Sequence, residues 1–150
     1  MKILVVDGAG GSIGQQIVAR LREQLPDKIE IIVLGTNAIA ASSMMKAGAN
    51  RGASGENAFR ITAPEADIII GPISVIVPNS FMGELTAAMA ESLSLSKAKK
   101  ILLPMSQPHI DIVGASNLPL PHLMDEMLRI VKSTLTGNKT RRVVEVKGNV

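Results

Sequence analysis

The chain has 150 residues, 46% apolar, 19% charged and 1% aromatic, with a net charge of +3 and no Cys, Trp or Tyr. Such a length buries roughly 70% of the unfolded surface, so a single domain is expected that needs neither a metal nor a disulfide to fold. The composition excludes a thiol nucleophile, a redox cysteine pair, an iron–sulfur cluster, a Cys-ligated zinc site and a catalytic phenol, and Phe59 and Phe81 alone make a poor stacking platform for single-stranded nucleic acid.

In chain order, residues 2–6 read as a fully buried first strand. Ile13, Ile17, Val18, Leu21 and Leu25 recur at helical spacing opposite Gln16, Arg20, Glu23 and Gln24, and Pro26 ends that helix. Residues 29–34 read as a second buried strand. A short helix over 38–47 follows, with Thr36 or Asn37 as its N-cap and Gly48 placed for a left-handed C-terminal cap. Residues 50–55 are small and turn-forming, and 57–62 read as a short third strand. Residues 67–71 are the most strand-like run, and Asn79 or Ser80 is placed to cap a helix reaching about residue 95. Residues 100–103, closed by Pro104, and residues 110–113 read as further strands. Leu120, Leu123, Met124, Met127, Leu128, Val131 and Leu135 trace one face of a last helix, which Pro121 helps to start. Short aliphatic runs alternating with helical segments predict a parallel sheet wrapped by helices.

From Lys132 onward, Lys132, Lys139, Arg141, Arg142 and Lys147 face Glu145 alone. The chain is therefore divided into a domain over 1–131 and a basic helix end and tail over 132–150, the tail expected to be mainly solvated. The rest carries no basic stripe, which argues against nucleic acid as partner. The opening apolar run stops at Asp7 and Gly8, unlike a secretory signal, and the apolar stretch 67–78 is far short of a membrane span and contains Gly71, Pro72 and Ser74. A cytoplasmic protein with no membrane partner is expected.

The chemistry concentrates in Asp7-Gly8-Ala9-Gly10-Gly11-Ser12-Ile13-Gly14, between the first strand and the first helix. Position 13 breaks G-x-G-x-x-G, but Gly8, Gly11 and Gly14 fit G-x-x-G-x-x-G. Glycines there permit a tight turn and close backbone approach to phosphate oxygens, and free amides at a helix start favour an anion. A turn needed only for packing is the alternative. No Lys follows the last glycine, so the turn is not a Walker A and a dinucleotide is the better ligand class.

That turn is similar to the T-G-x-x-G-x-x-G turn of extended short-chain dehydrogenases, with Asp7 in place of Thr. The similarity covers about the first 35 residues and implies binding without catalysis, because that family's Y-x-x-x-K cannot exist here. More broadly, residues 7–14, 34–50 (LGTNAIAASSMMKAGAN), 52–58 (GASGENA), 67–86 (DIIIGPISVIVPNSFMGELT) and 119–126 (PLPHLMDE) resemble a family of uncharacterised small bacterial Rossmann-like proteins, a domain of unknown function. That resemblance spans about residues 1–130 and implies the fold alone.

The reading is a single three-layer Rossmann-like α/β domain with a mostly parallel sheet of five or six strands. Its candidate cofactor site comprises Gly8, Ala9, Gly10, Gly11, Ser12, Ile13 and Gly14 with Thr36, Asn37, Gly71 and Pro72, which the rule for open α/β sheets gathers at the carboxyl ends of the strands. NAD or NADP is the cofactor expected. Where an NAD site would place Asp or Glu after the second strand, this chain has Gly35, Thr36 and Asn37, so no strong preference for NAD over NADP is expected, and a flavin or simpler nucleotide stays open.

The function expected is a nucleotide-binding or sensing module, or one part of a larger enzyme, with a small-molecule nucleotide as partner and a homo-oligomer left open. A self-contained oxidoreductase using His109, at the end of Met105-Ser106-Gln107-Pro108, is the enzyme alternative, since imidazole titrates near neutral pH. Gly10-Gly11-Ser12-Ile13-Gly14 also satisfies G-x-S-x-G, and Ser12, Asp111 and His122 stand in triad order. Its place after the first strand and the short chain oppose that hydrolase reading. His109 and His122 have no metal-ligand spacing, and no metal site is expected.

Overall fold

Ile3, Leu4, Val5 and Val6 are all fully buried, as a strand covered on both faces requires. The computed structural model describes residues 1–115 and 117–137, and the expected tail therefore lies outside the described residues from 138 onward. The elements are β1 (Lys2–Asp7), α1 (Ser12–Gln24), β2 (Glu30–Gly35), α2 (Ala38–Lys46), β3 (Arg51–Ser54), α3 (Glu56–Thr62), β4 (Ile68–Pro72), α4 (Ala87–Leu95), β5 (Lys99–Leu103) and α5 (Leu120–Leu135). Short 3-10 turns at Ala63–Glu65 and Ile73–Ile76 flank β4.

All described strand pairs are parallel, in the order β3-β2-β1-β4-β5, so the fold is a single α/β domain around a five-stranded sheet. Pairing of Val5 with both Val33 and Ile70 places β1 at the centre. The chain leaves β1 toward β2 and β3, then crosses back to β4, and the strand order reverses between β1 and β4. Such a reversal opens a crevice at the carboxyl ends of the two strands.

Alternation along the strands divides the core in two. Ile3, Val5, Ile31, Val33, Ile68 and Ile70 face Ile17, Val18 and Leu21 of α1, Met44 of α2 and Met124, Met127, Leu128 and Val131 of α5. Leu4, Val6, Ile32, Leu34 and Ile69 face Phe59, Met89, Ala90 and Leu93 of α3 and α4. Each fully buried aliphatic side chain contributes about 1.5–3 kcal/mol, which makes these two layers the main source of stability.

Three expected elements are corrected. Residues 57–62 belong to α3, because Phe59 and Ala63 stand four apart and both bury one helical face. The third strand is instead Arg51–Ser54, an exposed edge with no apolar alternation, aligned on β2 and tied to it by Arg51 Nε donating to Glu30 Oε1 at 2.7 Å. Residues 110–113 form no strand, only a single bridge between Gln107 and Ile110, so the sheet has five strands among the described residues. The helix expected from Asn79 or Ser80 begins only at Ala87, capped by Thr86, whose Oγ1 accepts the Met89 N–H at 3.1 Å. Asn79, Phe81 and Met82, with φ of 68°, 57° and 57°, cannot join a right-handed helix. Asn37 is the N-cap of α2, its Oδ1 accepting the Ala40 N–H at 2.8 Å, and Gly48 adopts φ 116° after that helix.

Candidate functional site

Asp7 closes β1 with its carboxylate turned inward under the glycine turn. It is 3% exposed, its Oδ1 accepts the Gly8 N–H at 2.8 Å, and its Oδ2 accepts the Gly14 N–H at 2.7 Å. Burial pushes the Asp7 carboxyl above its ordinary value of 3.8, while the amides of Gly14, Gly8 and Ile13 pull against that rise. Gly11, the N-cap of α1, has no side chain to offer the helix start, so Asp7 supplies the missing acceptor from the strand end.

That arrangement sorts the amides of the turn. Those of Gly8 and Gly14 are held by Asp7, and the Gly11 N–H donates to the Gly8 carbonyl at 2.9 Å. The Ile13 amide also faces Asp7. The amides of Ala9, Gly10 and Ser12 meet no acceptor among the described residues, and all three residues are exposed. Ala9 and Gly11 lie in the left-handed region at φ 50° and 74°, a geometry that curls successive amides toward one concave side.

The spaced glycines serve packing. A Cβ on Gly8 would stand 2.5 Å from the Phe81 ring, one on Gly11 would stand 2.8 Å from the Ala40 carbonyl oxygen, and one on Gly14 would stand 2.4 Å from Met44 Sδ. Gly10, outside the G-x-x-G-x-x-G pattern, has nothing within 4 Å of its Cβ position. Open space therefore lies over Gly10, beside the amides of Ala9 and Ser12.

Two residues outside the expected cofactor set join the candidate site, one of them Glu84, whose sequence position favours a first-turn acid over a site role. The segment between β4 and α4 folds over the turn, laying Phe81 on Gly8 and bringing Glu84 to the end of β2. Glu84 Oε2 accepts from Thr36 Oγ1 at 3.1 Å and from Asn37 Nδ2 at 2.9 Å, and Asn37 Nδ2 also donates to the Ala9 carbonyl at 2.9 Å. The sequence expectation of no acid beside Gly35 to Asn37 is thus corrected: the carboxylate arrives from 48 residues downstream of Thr36. The only signals were an isolated aromatic within a run of turn formers and an acid just before a helix, and the latter is usually explained by the helix dipole.

Gly8 to Gly14, Thr36 and Asn37 are brought together at the crevice. Gly71 and Pro72 are buried at the end of β4, where a Cβ on Gly71 would stand 2.5 Å from the Val6 carbonyl oxygen. His109, at φ 60°, is exposed beyond β5, the strand outside β4, and makes no hydrogen bond to the turn among the described residues. Ser12, Asp111 and His122 are likewise not joined by hydrogen bonds, so the triad order in sequence is not matched by a triad contact. Among the described residues, no group of three or more His, Asp or Glu could hold a metal, and no helix is long and apolar enough to cross a membrane.

A family model described as domain of unknown function DUF3842 matches residues 2–136. The chain belongs to that family. No curated protein matches its sequence. Among solved structures, a saccharopine dehydrogenase (L-Glu forming) from Saccharomyces cerevisiae is 17% identical with a TM-score of 0.46, over 71% of this chain and 22% of that one. A dodecameric FMN-dependent UbiX-like decarboxylase from Escherichia coli O157:H7 is 16% identical with a TM-score of 0.46, over 88% of this chain and 75% of that one. The family member described here thus spans about a fifth of the dehydrogenase's length.

Proposed function

We propose that this chain binds a nucleotide, best an NAD(P)-type dinucleotide, at the carboxyl edge of β1, β2 and β4, as a ligand-binding or sensing module or as one part of a larger enzyme. The observation that carries this reading is that Ala9, Gly10 and Ser12 are exposed residues whose amides have no acceptor among the described residues, with open space over Gly10, at the carboxyl ends of the strands where the strand order reverses. Phosphate oxygens supply the acceptors such amides lack, and the dipole of α1 adds to the attraction. Glu84, held by Thr36 and Asn37, then offers a polar partner for the sugar that follows the phosphates.

The test is a thermal-shift screen of NAD, NADP, FAD and ATP on the parent and on Gly10→Asp. A ligand at 100 times its dissociation constant stabilises the fold by about 2.7 kcal/mol, so binding raises the melting temperature measurably. Because the Gly10 Cβ position is open, Gly10→Asp should melt within about 2 °C of the parent while its carboxylate takes the place of the phosphate and abolishes the shift. No shift in the parent with any of the four, or an undiminished shift in Gly10→Asp, would overturn the reading.

A further inference from the structure

We infer that Glu84 selects the sugar of the bound nucleotide, accepting hydrogen bonds from an unmodified ribose diol and repelling a ribose that carries a 2′-phosphate. The inference rests on the nucleotide reading above and names the specificity of the same site. Its first support is position. Asn37 is fully committed, its Oδ1 to the Ala40 N–H and its Nδ2 to both Ala9 O and Glu84 Oε2, so one amide links the glycine turn, the start of α2 and the carboxylate. A sugar attached to phosphates over Ala9 and Gly10 therefore leaves the turn directly toward Glu84.

The second support is that the carboxylate is held rather than floating. Thr36 Oγ1 and Asn37 Nδ2 both donate to Oε2, leaving Oε1 with no hydrogen bond among the described residues. The segment that carries Glu84 is fastened by its own backbone, with Asn79 N–H donating to Leu85 O at 2.7 Å and Gly83 N–H to Asn79 O at 3.1 Å. Phe81, seated on Gly8, anchors the same segment to the turn. An oriented acceptor of this kind suits two ribose hydroxyls, each of which donates one proton.

The third support is charge. Glu84 forms no ion pair among the described residues, and the other acid at the turn, Asp7, is buried against backbone amides. A 2′-phosphate would bring up to two negative charges beside Glu84 with no guanidinium or ammonium paired there to offset them. An acid after the second strand performs this selection in dinucleotide-binding sheets generally. Here the acid would come from the β4–α4 segment.

Calorimetric titration of the parent, Glu84→Gln and Gly10→Asp with NAD and NADP at matched ionic strength tests the assignment. The parent should bind NAD at least tenfold more tightly than NADP. Glu84→Gln, which keeps the shape and the Thr36 contact but removes the charge, should bring the two affinities within about threefold of each other, mainly by strengthening NADP. Raising the salt should narrow the gap in the parent by screening and leave it unchanged in Glu84→Gln. A parent ratio near one overturns the role of Glu84, and so does an unchanged ratio in Glu84→Gln. Either result leaves the nucleotide reading intact if Gly10→Asp abolishes both ligands, whereas no binding of either ligand by the parent overturns the role of Glu84 together with the NAD(P) form of that reading.

Discussion

Replacing Asp7 with Ala should cost about 3 kcal/mol, because two buried amides lose their only acceptor and each such loss costs about 1–3 kcal/mol. For a domain of this size that is a fall in melting temperature of about 6–12 °C, readable by circular dichroism. The same residue should leave a signature in pH. Its pKa is raised by burial, so the native state holds the proton more tightly than the unfolded chain, and stability must fall as pH rises. That contribution is fully present below the ordinary value of 3.8 and is lost as pH rises through the higher folded value. Urea unfolding of the parent and of Asp7→Asn, from about pH 3 to about pH 7, isolates it. The parent's stability relative to Asp7→Asn should decline over that range. A rising difference would show that the amide hydrogen bonds to the carboxylate outweigh its burial, and an Asp7→Ala protein as stable as the parent would show that the turn does not depend on this carboxylate.

Gly11→Ala should be the most damaging one-carbon change in the turn, and Gly10→Ala one of the least. At Gly11 the backbone has φ 74°, and the new methyl would lie 2.8 Å from the Ala40 carbonyl oxygen and 2.9 Å from Ala40 Cα. Those are backbone atoms of α2, so no side-chain rotation can relieve the contact. The left-handed conformation costs about 1–2 kcal/mol in a residue with a Cβ. Overpacking adds about 1–3 kcal/mol more. Gly10→Ala meets open space and should stay within about 0.5 kcal/mol of the parent. Chemical denaturation of the two variants side by side decides it, and equal stabilities would mean that α2 yields to the turn rather than holding it.

The two glycines also mark how far a motif can be read from spacing. The pattern through Gly8, Gly11 and Gly14 pointed to this turn as a phosphate cradle, yet the contacts at all three are with Phe81, Ala40, Met44 and Asp7 of the same chain. The glycine with room for a ligand is Gly10, which the pattern treats as a filler. Similarly, Asp7 looked like a departure from a Thr-containing turn, and its use became visible only once the amides of Gly8 and Gly14 were seen to converge on it.

By itself the sequence determined the strands at 2–6, 29–34, 67–71 and 100–103, the amphipathic faces of α1 and α5, an N-cap at Thr36 or Asn37 and the parallel α/β class. These follow from local periodicity, because side chains two apart on a strand or three to four apart on a helix share one face whatever the rest of the chain does. Only the tertiary structure decided that Arg51–Ser54 is a strand, since an exposed edge gains its order from pairing with β2 and needs no apolar pattern of its own. It also decided that Glu84 stands beside Thr36 and Asn37. That contact spans 48 residues and depends on how the β4–α4 segment folds back over β1, a long-range closure that local periodicity does not encode.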